Sequence, residues 1–192
     1  MQGETAERIL DAANALMVER GYAGFSYADI AEVVAIRKAS IHHHFPTKTA
    51  LAKAVLERHR LRLLNGMERL DAGYADPFKR LQGYLHYWDG CIREGSVPFC
   101  VAALLGAELP SLPEDVQVQV QLHFEALRGW LERTLRAGSK AGVLQLQGTV
   151  AAEAQLWMAI VHGAMLSARA SGSCDVFKSI TDTAMKRIAV RN

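Results

Sequence analysis

The sequence predicts an all-α protein. Three observations carry that reading. Apolar residues recur at three- and four-residue intervals through most of the chain. Gly, Pro and capping residues interrupt the pattern at helix-length spacings. No segment alternates apolar and polar residues over enough positions to build a sheet.

In the first helix Ile9, Ala12, Ala13, Leu16 and Met17 share a face, and Gly21 supplies its stop. Ser26 opens a second, short helix, and Asp29 three positions on completes a capping-box pattern. Ile30, Val33 and Val34 are expected to be its buried side. A tight break at Ala35 and Ile36 leads to a third short helix, from about Arg37 to Phe45. Pro46 cannot continue it, and Thr47 is placed to cap a long fourth helix, from roughly Lys48 to Asp71. Asp76-Pro77 starts a fifth helix reaching about Glu94. A short apolar helix ends near Leu109, and Pro110 and Pro113 bracket a loop. Helices over about 114–137, 149–170 and 175–190 complete the chain.

With 192 residues, 50% of them hydrophobic, the chain has ample apolar surface for a core and a subunit interface. The formal charge of +2 says little, but its distribution says more. From Arg37 to Arg62 the basic residues are Arg37, Lys38, Lys48, Lys53, Arg58, Arg60 and Arg62, with Glu57 the only acid. Such a cluster suits a surface that meets phosphates. No secretory signal opens the chain, and the longest apolar run, 97–107, is too short to span a bilayer. A cytoplasmic protein without a membrane partner is expected. Cys91, Cys100 and Cys174 are odd in number and widely spaced, suggesting neither a disulfide framework nor a CxxC metal site.

Two short helices joined by a tight turn and followed by a basic helix describe a helix-turn-helix DNA reader. In its second helix Ile41 and Phe45 point one way and are expected to be buried. The opposite side presents Ala39, Ser40, His42 and His43, with Arg37 and Lys38 at its start. These small or hydrogen-bonding groups suit base edges and phosphates. Lys48 is placed for a backbone phosphate, and the helix start at Ser26 and Tyr27 for another. Three consecutive histidines point about 100° apart and cannot converge on one ion, so His42, His43 and His44 are not read as a metal site.

The run from Phe25 to Lys48 resembles the signature of the tetracycline-repressor (TetR/AcrR) family. The matching pieces are Asp29-Ile30-Ala31, the small-residue turn, Ser40-Ile41, His44-Phe45 and Thr47-Lys48. Ile9-Leu10-Asp11-Ala12-Ala13 and Arg20-Gly21-Tyr22 also match. The turn lacks the common Gly, so Ala35 is expected in an αR or bridge conformation. His42 stands where a phosphate-binding Tyr is typical, and Thr49 replaces the usual acid in the connecting helix's first turn.

The resemblance implies a DNA-binding domain over 1–48 and a helical effector-binding and dimerisation domain over 49–192. It implies a transcriptional regulator, by default a repressor, that binds a palindromic double-stranded operator and is released by a small molecule or by cysteine modification. Its last two helices would form the homodimer interface. Candidate effector contacts are Trp88, Phe99, Cys100, Leu104, Phe124, Trp130 and Trp157, with His123 and His162 as polar anchors. Cys100 begins a predicted helix whose dipole can favour a thiolate. The segment from Cys100 to Asp115 resembles the electrophile-sensing branch typified by the N-ethylmaleimide reductase repressor. No cofactor or metal is expected. No HExxH, Gly-rich phosphate loop or GxSxG points to an enzyme.

Overall fold

The computed structural model describes residues 2–190, and nine α-helices occupy most of them. They are α1 (Gln2–Arg20), α2 (Tyr27–Val34), α3 (Lys38–His44), α4 (Lys48–Gly73), α5 (Pro77–Glu94), α6 (Val101–Ala107), α7 (Glu114–Lys140), α8 (Val150–Ser171) and α9 (Asp175–Ile188). Among the described residues the extended pairing is one isolated bridge, Leu144 to Ala189.

Capping chemistry sets the boundaries as the sequence indicates. Thr47 Oγ1 accepts the Ala50 amide at 3.1 Å. Asp76 accepts from Phe78 at 2.9 Å, with Pro77 in the first turn of α5. Thr149 accepts from Ala152 at 3.2 Å. Where a loop was expected, Leu109–Ser111 forms a 3-10 turn, because Pro110 suits a helical first turn.

The described residues fall into two compact units. The first comprises residues up to Arg62 together with Cys100–Phe124, and the second Leu63–Phe99 together with Glu125 onward. The first unit thus reaches well past residue 48, and a specific contact explains why α6 belongs to it. Glu108, at the end of α6, accepts the Tyr22 amide at 2.9 Å. Gly21 beside it has φ +75, and a Cβ there would lie 2.1 Å from the Glu108 carboxylate. Only glycine allows both the turn and this approach.

In the first unit Ile9, Ala13 and Met17 of α1 are fully buried, as are Ile30, Ile41, Leu51 and Leu56 from the next three helices. In the second, Leu81, Leu127, Trp130, Leu131 and Phe177 are large side chains that are fully buried, and α8 packs closely on α9. Glu153, almost fully buried there, accepts the amides of Gln147 and Gly148 and so satisfies the turn before α8.

Two local expectations are corrected. Val33 is 63% exposed, because α2 is only eight residues long and its partners take Tyr27, Ile30 and Val34. Ala35 is neither αR nor bridge but left-handed, at φ 56 and ψ 48. That geometry closes α2: the Ile36 amide returns to the Ala31 carbonyl at 3.1 Å and the Ala35 amide to Glu32 at 3.3 Å. Ala35 is exposed, so no packing is lost by removing its methyl. An Ala35→Gly variant is expected to be more stable by about 0.5–1 kcal/mol, relief of αL strain outweighing the entropy cost of glycine. Urea unfolding midpoints check this, and an unchanged or lower midpoint contradicts it.

Candidate nucleic-acid interface and buried thiol site

The cap of α2 is a closed reciprocal network. Ser26 Oγ accepts the amides of Ala28 and Asp29, while Asp29 Oδ2 accepts the Ser26 amide at 2.7 Å and its hydroxyl at 2.6 Å. The Ser26 hydroxyl and amide together hold the Asp29 carboxyl below its ordinary range. At the other end of α2, Arg8 donates to the Val34 carbonyl at 2.7 Å, a cation at a helix C-terminus.

α3 has seven residues and no side-chain cap at its start. Ile41 anchors it in the core, while Phe45 is only half-buried, less than its helical phase suggests. Its end is tied by Tyr27, whose hydroxyl donates to the Phe45 carbonyl at 2.8 Å. Burial pushes that phenol up to about 12. Tyr27 is therefore a buried brace, and its hydroxyl does not face outward. His42 packs against the Tyr27 ring at 4.7 Å and bonds the Pro46 carbonyl through Nδ1 at 3.3 Å.

Arg37, Lys38, Ala39, His42 and His43 are exposed, and Ser40 lies half-buried on the flank. Residues 38, 39, 42 and 43 share one face at helical spacing, giving a narrow polar ridge with no acid on it. Lys48 is different from its expected role. Its ammonium donates to the Phe25 carbonyl, lies over the Phe25 ring at 4.2 Å and is 5.0 Å from the Tyr22 ring. Half-burial lowers its pKa, and the residue ties the start of α4 to the α1–α2 loop rather than projecting outward. Tyr22 also reaches Thr49 Oγ1 at 3.4 Å, the residue that replaces the family's usual acid.

The effector candidates are divided between the two units. Cys100, Leu104, His123 and Phe124 belong to the first unit, and Trp88, Phe99, Trp130, Trp157 and His162 to the second. Trp130 donates to Asp71 at 3.1 Å, and Phe99 lies under the Arg169 guanidinium at 5.5 Å. A groove of about 780 Å³ in the second unit runs along α5 and α9, past Phe78, Gln82, His86, Asp89, Asp182 and Met185. None of the effector candidates lines it.

Cys100 sits at the N-cap of α6, as read, but is fully buried. Desolvation outweighs the amides of Ala103 and Ala102 and pushes its thiol up to about 11. The expected thiolate is therefore corrected to a neutral thiol. Its neighbours are His59 Nε2 at 3.4 Å and His123 Nε2 at 3.7 Å, and the two rings stack at 4.8 Å. The sequence reading weighs metal chemistry at the adjacent histidines and as a CxxC motif and misses this trio, which joins residues 41 and 23 positions apart. No local spacing signals it. Only the packing of three helices does.

Comparison with known proteins decides the family. The profile described as "Bacterial regulatory proteins, tetR family" matches residues 9–55. The crystal structure of a TetR-family transcriptional regulator from Agrobacterium tumefaciens is similar at 45% identity, covering 99% of this chain and 100% of that one, with a TM-score of 0.96. The chain belongs to the TetR family.

This TetR-family protein is also 26% identical over 174 residues to the HTH-type transcriptional repressor NemR of Escherichia coli K12, covering 88% of this chain and 86% of that protein. The crystal structure of reduced E. coli NemR aligns with a TM-score of 0.80 at 25% identity over 97% of each chain. The chain is a DNA-binding transcriptional regulator rather than an enzyme, in a family whose members bind operators and small effectors, typically as dimers. Among the described residues no helix is long and apolar enough to cross a membrane.

His162 of α8 gives a pH-dependent prediction. Burial depresses its pKa to about 4, so between about pH 6.5 and 4 the unfolded chain binds a proton that the folded chain refuses. Stability contributed by the neutral ring is full above that window and falls as pH is lowered through it. Tm measured across this range is expected to decline less steeply in His162→Leu than in the wild type; parallel profiles contradict the assignment.

Proposed function

We propose that this TetR-family regulator is a cytoplasmic homodimeric repressor that reads a palindromic operator through α3. The observation that carries the reading is the exposed, acid-free ridge of Lys38, Ala39, His42 and His43 on a helix otherwise anchored by Ile41 and Tyr27. A groove reader needs such a combination: an immobile base and a face of short donors and small residues. Arg37 and Ser40 flank the ridge, and the α2 start at Ser26 and Tyr27 meets a phosphate through the Tyr27 amide, the Ser26 amide being held by Asp29. Lys48 serves chiefly by holding this frame, with one of its three ammonium protons on the Phe25 carbonyl. Residues 1–48 carry the reading function, and 49–192 the effector and dimer functions.

The dimer is assigned to α8 and α9. Ala152, Leu156, Ala159, Gly163, Leu166 and Ala170 recur on one exposed face of α8 at alternating four- and three-residue steps. Leu156 is 52% and Leu166 60% exposed, unusual for leucines in so apolar a helix. Small residues between them allow a second copy to approach closely, and a twofold pair of readers matches a palindrome.

Release follows from a small apolar or electrophilic effector, or from modification of Cys100. The buried Trp88 indole N–H has no hydrogen-bond acceptor among the described residues, which suits a ligand acceptor in the second unit. At Cys100, His59 is near enough to take the thiol proton when the site opens. α6 supports transmission from that point: Cys100 caps its start, and Glu108 at its end holds the Tyr22 amide.

DNA from the gene's upstream region, titrated across a salt series, tests the reading. Lys38→Ala/His43→Ala is expected to lose roughly 1–3 kcal/mol of operator affinity per contact removed. Equal affinity for wild type and variant argues against α3 as the reader. In a separate experiment, Leu166→Glu is expected to convert the dimer to a folded monomer by sedimentation and to weaken operator binding; a persistent dimer moves the interface elsewhere. Cys100→Ser should bind operator normally but resist release by electrophiles, and retained release would exclude the cysteine route.

A further inference from the structure

We propose that His59, Cys100 and His123 form a three-ligand binding site for a thiophilic d10 metal ion, Zn2+ or Cu+. The three potential ligand atoms lie within 4.8 Å of one another. Both histidines turn Nε2 toward the sulfur, at 3.4 Å and 3.7 Å. A tetrahedral ion with bonds of about 2.3 Å to sulfur and about 2.05 Å to nitrogen holds those atoms about 3.6 Å apart. The two observed sulfur–nitrogen separations bracket that value. The imidazole planes are 22° from parallel, so one ring must rotate to aim its lone pair at the ion. His59, half-buried at the edge of the cluster, has the room, whereas His123 is 1% exposed.

The donor set selects the ion. Two imidazoles and one thiolate, with no carboxylate in the group, suit Zn2+ or Cu+ and not Mg2+, Ca2+ or Mn2+. On binding, the Cys100 thiol proton leaves to solvent, a sulfur–metal bond forms, and both imidazoles coordinate as neutral rings through Nε2. Cu+ with one thiolate is neutral overall and fits a buried three-coordinate centre. Zn2+ retains a positive charge and completes its shell with water or hydroxide on the half-buried His59 side.

The site spans three helices of the first unit: α4 through His59, the start of α6 through Cys100, and α7 through His123. His59 lies about 16 Å along α4 from Lys48, which braces the reader. Coordination therefore fixes α4 against α6 and α7, and any effect of the ion on operator affinity is matched by an equal effect of operator on ion affinity. The binding site itself stands independently of how the operator is released.

The test uses the full-length protein, reduced, stripped with a chelator and kept anaerobic. Titration with Co2+ is expected to give one ion per chain, a near-ultraviolet thiolate-to-cobalt band and the visible bands of a four-coordinate centre. Zn2+ should bleach these at one equivalent, and competition against a chromogenic Cu+ chelator ranks the two ions. Cys100→Ser should abolish the charge-transfer band, while Cys91→Ser/Cys174→Ser keeps it. His59→Asn, at a half-buried position, should leave the circular dichroism spectrum intact and weaken binding at least about tenfold. Absence of both the cobalt bands and Cu+ binding in the wild type overturns the proposal. So does a band that survives Cys100→Ser, or one that depends on Cys91 or Cys174.

Discussion

A seven-residue helix cannot hold itself together in water, and the first unit is organised around that constraint. α3 lacks a side-chain N-cap, so its conformation is imposed by neighbours. Ile41 supplies the buried anchor, and Tyr27 secures the Phe45 carbonyl. Lys48 ties the following helix back to the loop before α2. Upstream, the reciprocal Ser26–Asp29 cap and Arg8 on the Val34 carbonyl hold both ends of α2, on which α3 leans. The exposed ridge of α3 owes its fixed position to residues that are not on it.

The same logic extends to α6. Glu108 satisfies the Tyr22 amide just after α1, and Gly21 leaves the space that this needs. A carboxylate far along the chain thereby becomes part of the frame that supports the reader. At the opposite end of the same short helix, Cys100 meets His59 of α4 and His123 of α7. The Cys100 thiol and the Tyr22 contact are thus separated by the length of one short helix.

Much of the fold was legible in local chemistry. The Ser26 capping box, the Asp76-Pro77 start and the Thr47 and Thr149 caps depend on residues within four positions of one another. The apolar face of α1 could be read for the same reason, since its period is set by the helix itself. Errors arose where a choice depended on partners. Val33 satisfies the helical phase, yet the available neighbours cover Tyr27 and Val34 instead. The break after α2 was clear, but its sign at Ala35 followed from how α2 closes. Lys48 reads as a phosphate contact from position alone, whereas the rings of Tyr22 and Phe25 and a nearby carbonyl claim it.

The sequence by itself determined the helical class, the order and most limits of the helices, the reader motif and the family that motif resembles. Each is encoded over short spans, where backbone geometry fixes which side chains meet. Tertiary structure alone decided that α6 supports the reader, that Cys100 is a neutral buried thiol, and that His59 and His123 flank it. Those outcomes depend on desolvation and on contacts between residues tens of positions apart. Neither is a property of any segment taken alone, because burial exists only once the helices have packed.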